Sequence, residues 1–133
     1  MPLARSITAI LLAIAVAVPV PGNAGTLDGS HLLQMCNNTL KILTGEAIDD
    51  DVTEEMMFDA GVCIGMIAGI SRTLIRLRDS GAGRPLACLP GKPMTNEQAA
   101  RMILRHLEAN RNRLNLPGAD LAINAFQESF PCR

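Results

Sequence analysis

Residues 53–78 read TEEMMFDAGVCIGMIAGISRTLIRLR, and the conformation of this stretch decides the architecture. Thr53 is a good N-cap, because its hydroxyl accepts from an amide that the first helical turn leaves without a partner. Glu54 and Glu55 follow where the helix macrodipole favours negative charge, and Arg72, Arg76 and Arg78 stand at the end that favours positive charge. Only twelve uncharged residues separate Asp59 from Arg72, short of the ~20 apolar residues that a membrane crossing needs. The stretch is therefore a core helix of a soluble bundle. Gly61, Gly65 and Gly69 recur every four residues along it, with Ala60 and Ala68 beside them. Glycine costs about 1 kcal/mol relative to alanine inside a helix, so three on one face call for the compensation of a close helix approach. The first helix of this chain is the expected neighbour. A second copy, meeting it in a homodimer seam, is the other candidate, and spacing does not separate the two.

Three more helices lie outward from this one. Upstream, Ser30 to Thr44 sets Leu33, Cys36, Leu40 and Leu43 on one stripe, with Asp28 or Ser30 as cap and Gly45 as stop. Downstream, the segment between Arg78 and Thr95 is too rich in Gly and Pro to be helical and forms the longest loop. Thr95 and Gln98 have capping-box spacing and open a third helix that runs through Ile103 and Leu107 to about Asn110. A fourth begins near Pro117, carries Leu121, Ala125 and Phe126 inward and stops at Pro131. No segment alternates with a period of two. The fold class is all-α, a small bundle of about four helices in two antiparallel hairpins.

Ahead of this domain, Arg5, a charge-free run, Pro19 and Pro21, and the small residues Gly22 and Ala24 follow the order of a cleavable export signal. Residues 1–24 are expected to be a Sec-type signal peptide and residues 25–133 a single periplasmic or secreted domain with no membrane anchor. All four cysteines, Cys36, Cys63, Cys88 and Cys132, lie after the cleavage point, where an oxidising compartment turns them into a disulfide framework. No pair has zinc-ligand spacing. Three connectivities are open. Cys36 lies eight residues before the end of the first helix and Cys63 nine after the start of the second. These offsets amount to about 12 and 13.5 Å of helix rise, so an antiparallel hairpin brings both sulfurs to one level. Cys88 precedes the third helix and Cys132 follows the fourth, where the open ends of a second hairpin meet. The expected pairs are Cys36–Cys63 and Cys88–Cys132, each contributing roughly 3.5 to 4 kcal/mol in the chain-entropy account.

The core must be aliphatic, since Phe58, Phe126 and Phe130 are the only aromatics. Charge is divided: Gly25 to Ser71 holds eight acids against Lys41 alone, net −7, and Arg72 onward holds ten bases against five acids, net +5. Such polarity steers partners or is neutralised between helix faces within the fold. Catalytic chemistry finds no constellation. His31 and His106 are the only histidines, neither has a nucleophile beside it, and both are expected on helix surfaces. Gly81-Ala82-Gly83 reads as flexible loop, not a phosphate cradle, and Arg72, Arg76, Arg78 and Arg84 have no aromatics interleaved for nucleic acid. No enzyme activity, cofactor or metal is expected; the chain reads as a binding protein.

Cys36 in a first helix, CIGMIAG over residues 63–69, Cys88-Leu89-Pro90, a helix ending Leu107-Glu108-Ala109 and the terminal Phe130-Pro131-Cys132 together resemble the Rap/Tai-type immunity proteins of type VI secretion. The resemblance covers essentially residues 25–133. It implies a small helical periplasmic protein that binds an injected peptidoglycan amidase and occludes its active site. Met66 departs from the family's usual aromatic, and Arg111 from a usual proline. A helical stress protein or chaperone is the alternative from another class, with the acids Asp49, Asp50, Asp51, Glu54 and Glu55 as its protonation trigger. An inhibitor that plugs a cleft needs a protruding segment held in shape, which points to the loop from Asp79 to Pro93. Arg84, Pro85, Leu86, Leu89 and Lys92 are its expected contacts, and Asp49, Asp50 and Asp51 form the rival surface. The export signal gives the first prediction: N-terminal sequencing of the exported protein should begin at Gly25, and material that still carries Arg5 would refute cleavage.

Overall fold

The computed structural model describes residues 27–133, apart from the side chain of Asp49, and builds them from α1 (Gly29–Leu43), α2 (Glu54–Asp79), α3 (Asn96–Ala109) and α4 (Gly118–Ser129). The expected signal peptide, residues 1–24, lies outside the described residues. Each expected cap is present. Thr53 Oγ1 accepts from the Met56 amide at 3.2 Å, and Thr95 and Gln98 satisfy each other's backbone amides in a capping box. Asp28 caps α1, accepting from the Ser30 hydroxyl at 2.6 Å and from the Ser30 and His31 amides at 2.9 and 3.0 Å. The Ser30 hydroxyl, then the His31 amide and the His31 ring, hold the Asp28 carboxyl well below the usual carboxylate range. Because that shift is downward, the stability it brings is present at and above the ordinary aspartate range and is lost only in stronger acid.

No β-strand occurs among the described residues, so the architecture is all-α. Helix α1 packs against α2, α3 and α4, and α3 pairs with α4, which gives the two hairpins. Leu32, Cys36, Cys63, Ile103, Leu107, Leu121 and Phe126 are fully buried at the centre. The core stripe of α1 is rotated slightly from the sequence expectation. Leu32, Cys36 and Thr39 are buried, Leu33 and Leu40 flank them, and Leu43 is exposed. Buried Thr39 is satisfied by its bond to the Met35 carbonyl at 2.8 Å.

Both disulfides are those expected. Cys36–Cys63 joins α1 to α2 with Cα atoms 5.3 Å apart, and Cys88–Cys132 closes the second hairpin at 5.0 Å. One turn before Cys63, buried Asp59 accepts from the Asn38 amide at 2.7 Å, a second tie between the same two helices.

The glycine series requires a correction. Gly61, Gly65 and Gly69 do not receive α1; all three are exposed, and a Cβ at any of them would meet nothing within 4 Å. The cause is angular. Two residues advance a helix by about 200°, so drawing Cys63 inward turns Gly61 and Gly65 outward. Glycines with a close approach stand elsewhere. A Cβ on Gly29 would overlap the Leu121 side chain, and one on Gly118 would lie 2.7 Å from the Leu27 carbonyl oxygen. Here the start of α1 is sewn to the α3–α4 connection, with the Gly29 amide on the Leu116 carbonyl at 2.9 Å and the Gly118 amide on the Leu27 carbonyl at 2.6 Å.

His106 is also corrected. It is buried, 6% exposed, with Nδ1 2.8 Å from Glu128 of α4, because it continues the apolar face of Ala99, Met102 and Ile103 at helical spacing. Every ion pair among the described residues is local to one half of the chain: Asp28–His31, Arg78–Asp79, Glu97–Arg101 and His106–Glu128. None joins the acidic half to the basic half.

The close approach at the α1 start carries the second prediction. Gly118→Ala should destabilise the fold by about 1 to 3 kcal/mol, since a backbone carbonyl must move to admit the methyl group. Urea unfolding measures this, and an unchanged midpoint would show that the junction yields freely.

Candidate functional site

The loop between α2 and α3 is made by glycines where the backbone demands them. Gly81 and Gly83 have φ of 64° and 99°, in the left-handed region that side chains disfavour, and they reverse the chain directly after α2. Arg84 and Leu86 then stand exposed, Leu86 at 50%, with Pro85 half-buried between them. Beyond this tip the chain is held tightly. Ala87 is buried, the Cys88 amide donates to the Phe130 carbonyl at 2.8 Å, and Cys88 is crosslinked to Cys132. Arg78 Nη1 donates to the Leu89 carbonyl at 2.7 Å while its Nε bonds Asp79.

Leu89 is accordingly removed from the set of expected contacts. It is 6% exposed and belongs to the core, because the crosslink next to it pulls the chain down onto the bundle. Arg84, Leu86 and Lys92 are exposed and Pro85 is half-buried, on a loop braced at its middle. Sequence reasoning did not find the groove beside this loop. It has a volume of about 340 Å³ between α2 and the loop, with Ile67, Ile75 and Phe126 as apolar wall and Arg72 and Lys92 as its cationic residues. No acidic residue lines it. Arg72 was legible only as part of a basic helix end, since nothing in the sequence places it opposite Lys92.

The rival acidic segment, Asp49–Asp51, forms a single 3₁₀ turn before α2, with Asp50 and Asp51 exposed. It and the Arg84 loop sit at opposite ends of α2, a helix of 26 residues. At 1.5 Å per residue that separation is about 39 Å, too far for both to enter one small cleft. Among the described residues no group of three or more His, Cys, Asp or Glu is placed to hold a metal ion.

These features define a class, a four-helix domain stapled by two disulfides that presents a braced loop and an adjoining cationic groove. The chain belongs to the Rap1a immunity protein family, whose model matches residues 28–132. Comparison with curated proteins and with solved structures gave no match. Membership makes this an immunity protein and implies a secreted effector as its binding partner.

The brace can be tested alone. Arg78→Met keeps the apolar stem and removes the bond to the Leu89 carbonyl, so it should cost about 1.5 kcal/mol in urea unfolding and speed amide exchange at Cys88. Unchanged exchange would mean that the disulfide holds the loop without Arg78.

Proposed function

We propose that the protein is a periplasmic immunity protein that binds a peptidoglycan amidase delivered by type VI secretion and occludes its active site. What carries the reading is the braced loop tip on a chain of the Rap1a immunity protein family. A segment that enters a cleft loses affinity if it must first be ordered, and Cys88, Arg78 and Pro85 within the tip meet that cost during folding. Arg84, Pro85, Leu86 and Lys92 are the proposed contacts, with Leu86 as the apolar anchor and the cations as its polar rim. The export signal expected of residues 1–24 supports an encounter outside the cytoplasm, in an oxidising compartment where both disulfides can form.

The experiment is calorimetric binding to the amidase encoded beside this gene, with circular dichroism to confirm the fold of each variant. Changing Arg84, Leu86 and Lys92 together to Ala should weaken binding at least a hundredfold, whereas changing Asp49, Asp50 and Asp51 to Asn should leave it within a few-fold. The opposite pattern would move the contact to the acidic turn. Absence of any binding by the parent protein would end the amidase reading.

A further inference from the structure

The groove between α2 and the loop is apolar at its floor and cationic at its edges. Ile67, Leu89 and Phe126 line it and belong to the core, Phe126 with no exposure at all, so the floor reaches the centre of the bundle. Arg72 on the α2 side and Lys92 on the loop side are exposed and line the same space. Neither joins an ion pair among the described residues, whereas Arg78 and Arg101 are held by Asp79 and Glu97. At about 340 Å³ the groove falls at the small end of the ~300–1,000 Å³ range of ligand sites.

Two unpaired cations beside an apolar floor, with no acid in the lining, are complementary to a ligand that has an anionic head and an apolar body. The walls decide the kind of body. An extended peptide is held largely through its main chain, and Pro90 and Pro93 of the loop wall have no amide hydrogen to give it. The Leu89 carbonyl already accepts from Arg78, and the other wall is α2, whose main chain is bonded within the helix. An aliphatic chain needs no such partners.

We propose that this groove is a binding site for a small single-chain carboxylate, a medium-chain fatty acid in chemical class. Its tail lies on Ile67, Leu89 and Phe126, and its head sits between Arg72 and Lys92. The Arg72 guanidinium presents a planar fork that matches a carboxylate, and Lys92 adds a point charge from the opposite wall. The Asn96 side chain, which also lines the groove, has amide hydrogens to donate to the same head. This inference goes beyond the inhibitor reading and does not depend on the effector; Lys92 is the one residue that the two share.

Calorimetric titration of the oxidised protein, as the cell exports it, tests the site with decanoate kept below its micelle concentration. Decanoate should saturate one site per chain. Decylamine, which has the same tail and a cationic head, and acetate, which has the head without the tail, should each bind at least tenfold more weakly. Arg72→Gln with Lys92→Gln should weaken decanoate at least tenfold. Ala68 lines the groove and is half-buried, so Ala68→Leu should fill the space and weaken decanoate as much, with both cations kept and an unchanged circular dichroism spectrum. The Phe126 ring resonances should shift with decanoate and not with acetate. Should the double charge variant fail to fold, Ala68→Leu and the Phe126 resonances decide the matter alone. A parent that binds no decanoate, or binds decylamine equally well, overturns the proposal. Binding of several molecules per chain that is indifferent to Ala68→Leu overturns it as adventitious association with apolar surface. Tighter binding of an acetylated peptide ending in Leu-Leu carboxylate overturns it in favour of a peptide C-terminus.

Discussion

The crosslink between Cys36 and Cys63 is the constraint on which the remaining structure depends. It sets the rotation of α2 as well as its distance from α1, since a sulfur bonded inward fixes which side of a helix faces the core. Asp59 on Asn38 one turn away and Ile67 one turn beyond then fall on the same buried side. Everything at the opposite angle becomes surface. The glycine stripe, Phe58, Arg72 and Arg76 are exposed for that reason, and the long helix acts both as core element and as outer wall.

The second hairpin is closed at two places. At one end Cys88–Cys132 and the bond from the Cys88 amide to the Phe130 carbonyl tie the entrance of α3 to the exit of α4. At the other, the Gly29 amide on the Leu116 carbonyl and the Gly118 amide on the Leu27 carbonyl join the start of α1 to the start of α4, where no side chain would fit. A domain of about 100 residues buries only some two-thirds of its unfolded surface, and this one has a single fully buried aromatic, Phe126. Two crosslinks and a glycine junction supply order that a larger aromatic core would otherwise give. The braced loop is a by-product of the same closure, because the residue that anchors it also seals the hairpin.

Particular residues show how far the sequence could be read. Thr53, Thr95 with Gln98, and Asp28 announced helix starts because capping is local chemistry between residues two or three apart. The disulfide pairing was legible because helix rise converts residue offsets into levels along an axis. Leu89 was misread as a contact, since a loop position next to a cysteine looks like its exposed neighbours until the crosslink pulls it down. His106 was misread for a related reason, a polar residue on an otherwise apolar face whose partner, Glu128, lies on another helix.

By itself the sequence determined the helices, their caps, the two crosslinks and the family to which the chain belongs, all of them consequences of short-range periodicity and of ordered motifs. It also contained the angular conflict between an inward Cys63 and an inward glycine face, and could have resolved it. Tertiary structure alone decided which loop residues reach solvent, that Arg72 and Lys92 flank one groove, and that the acidic and basic halves make no ion pair with each other among the described residues. Those outcomes depend on the relative placement of helices distant in sequence. Packing against neighbours fixes that placement, and no local preference encodes it.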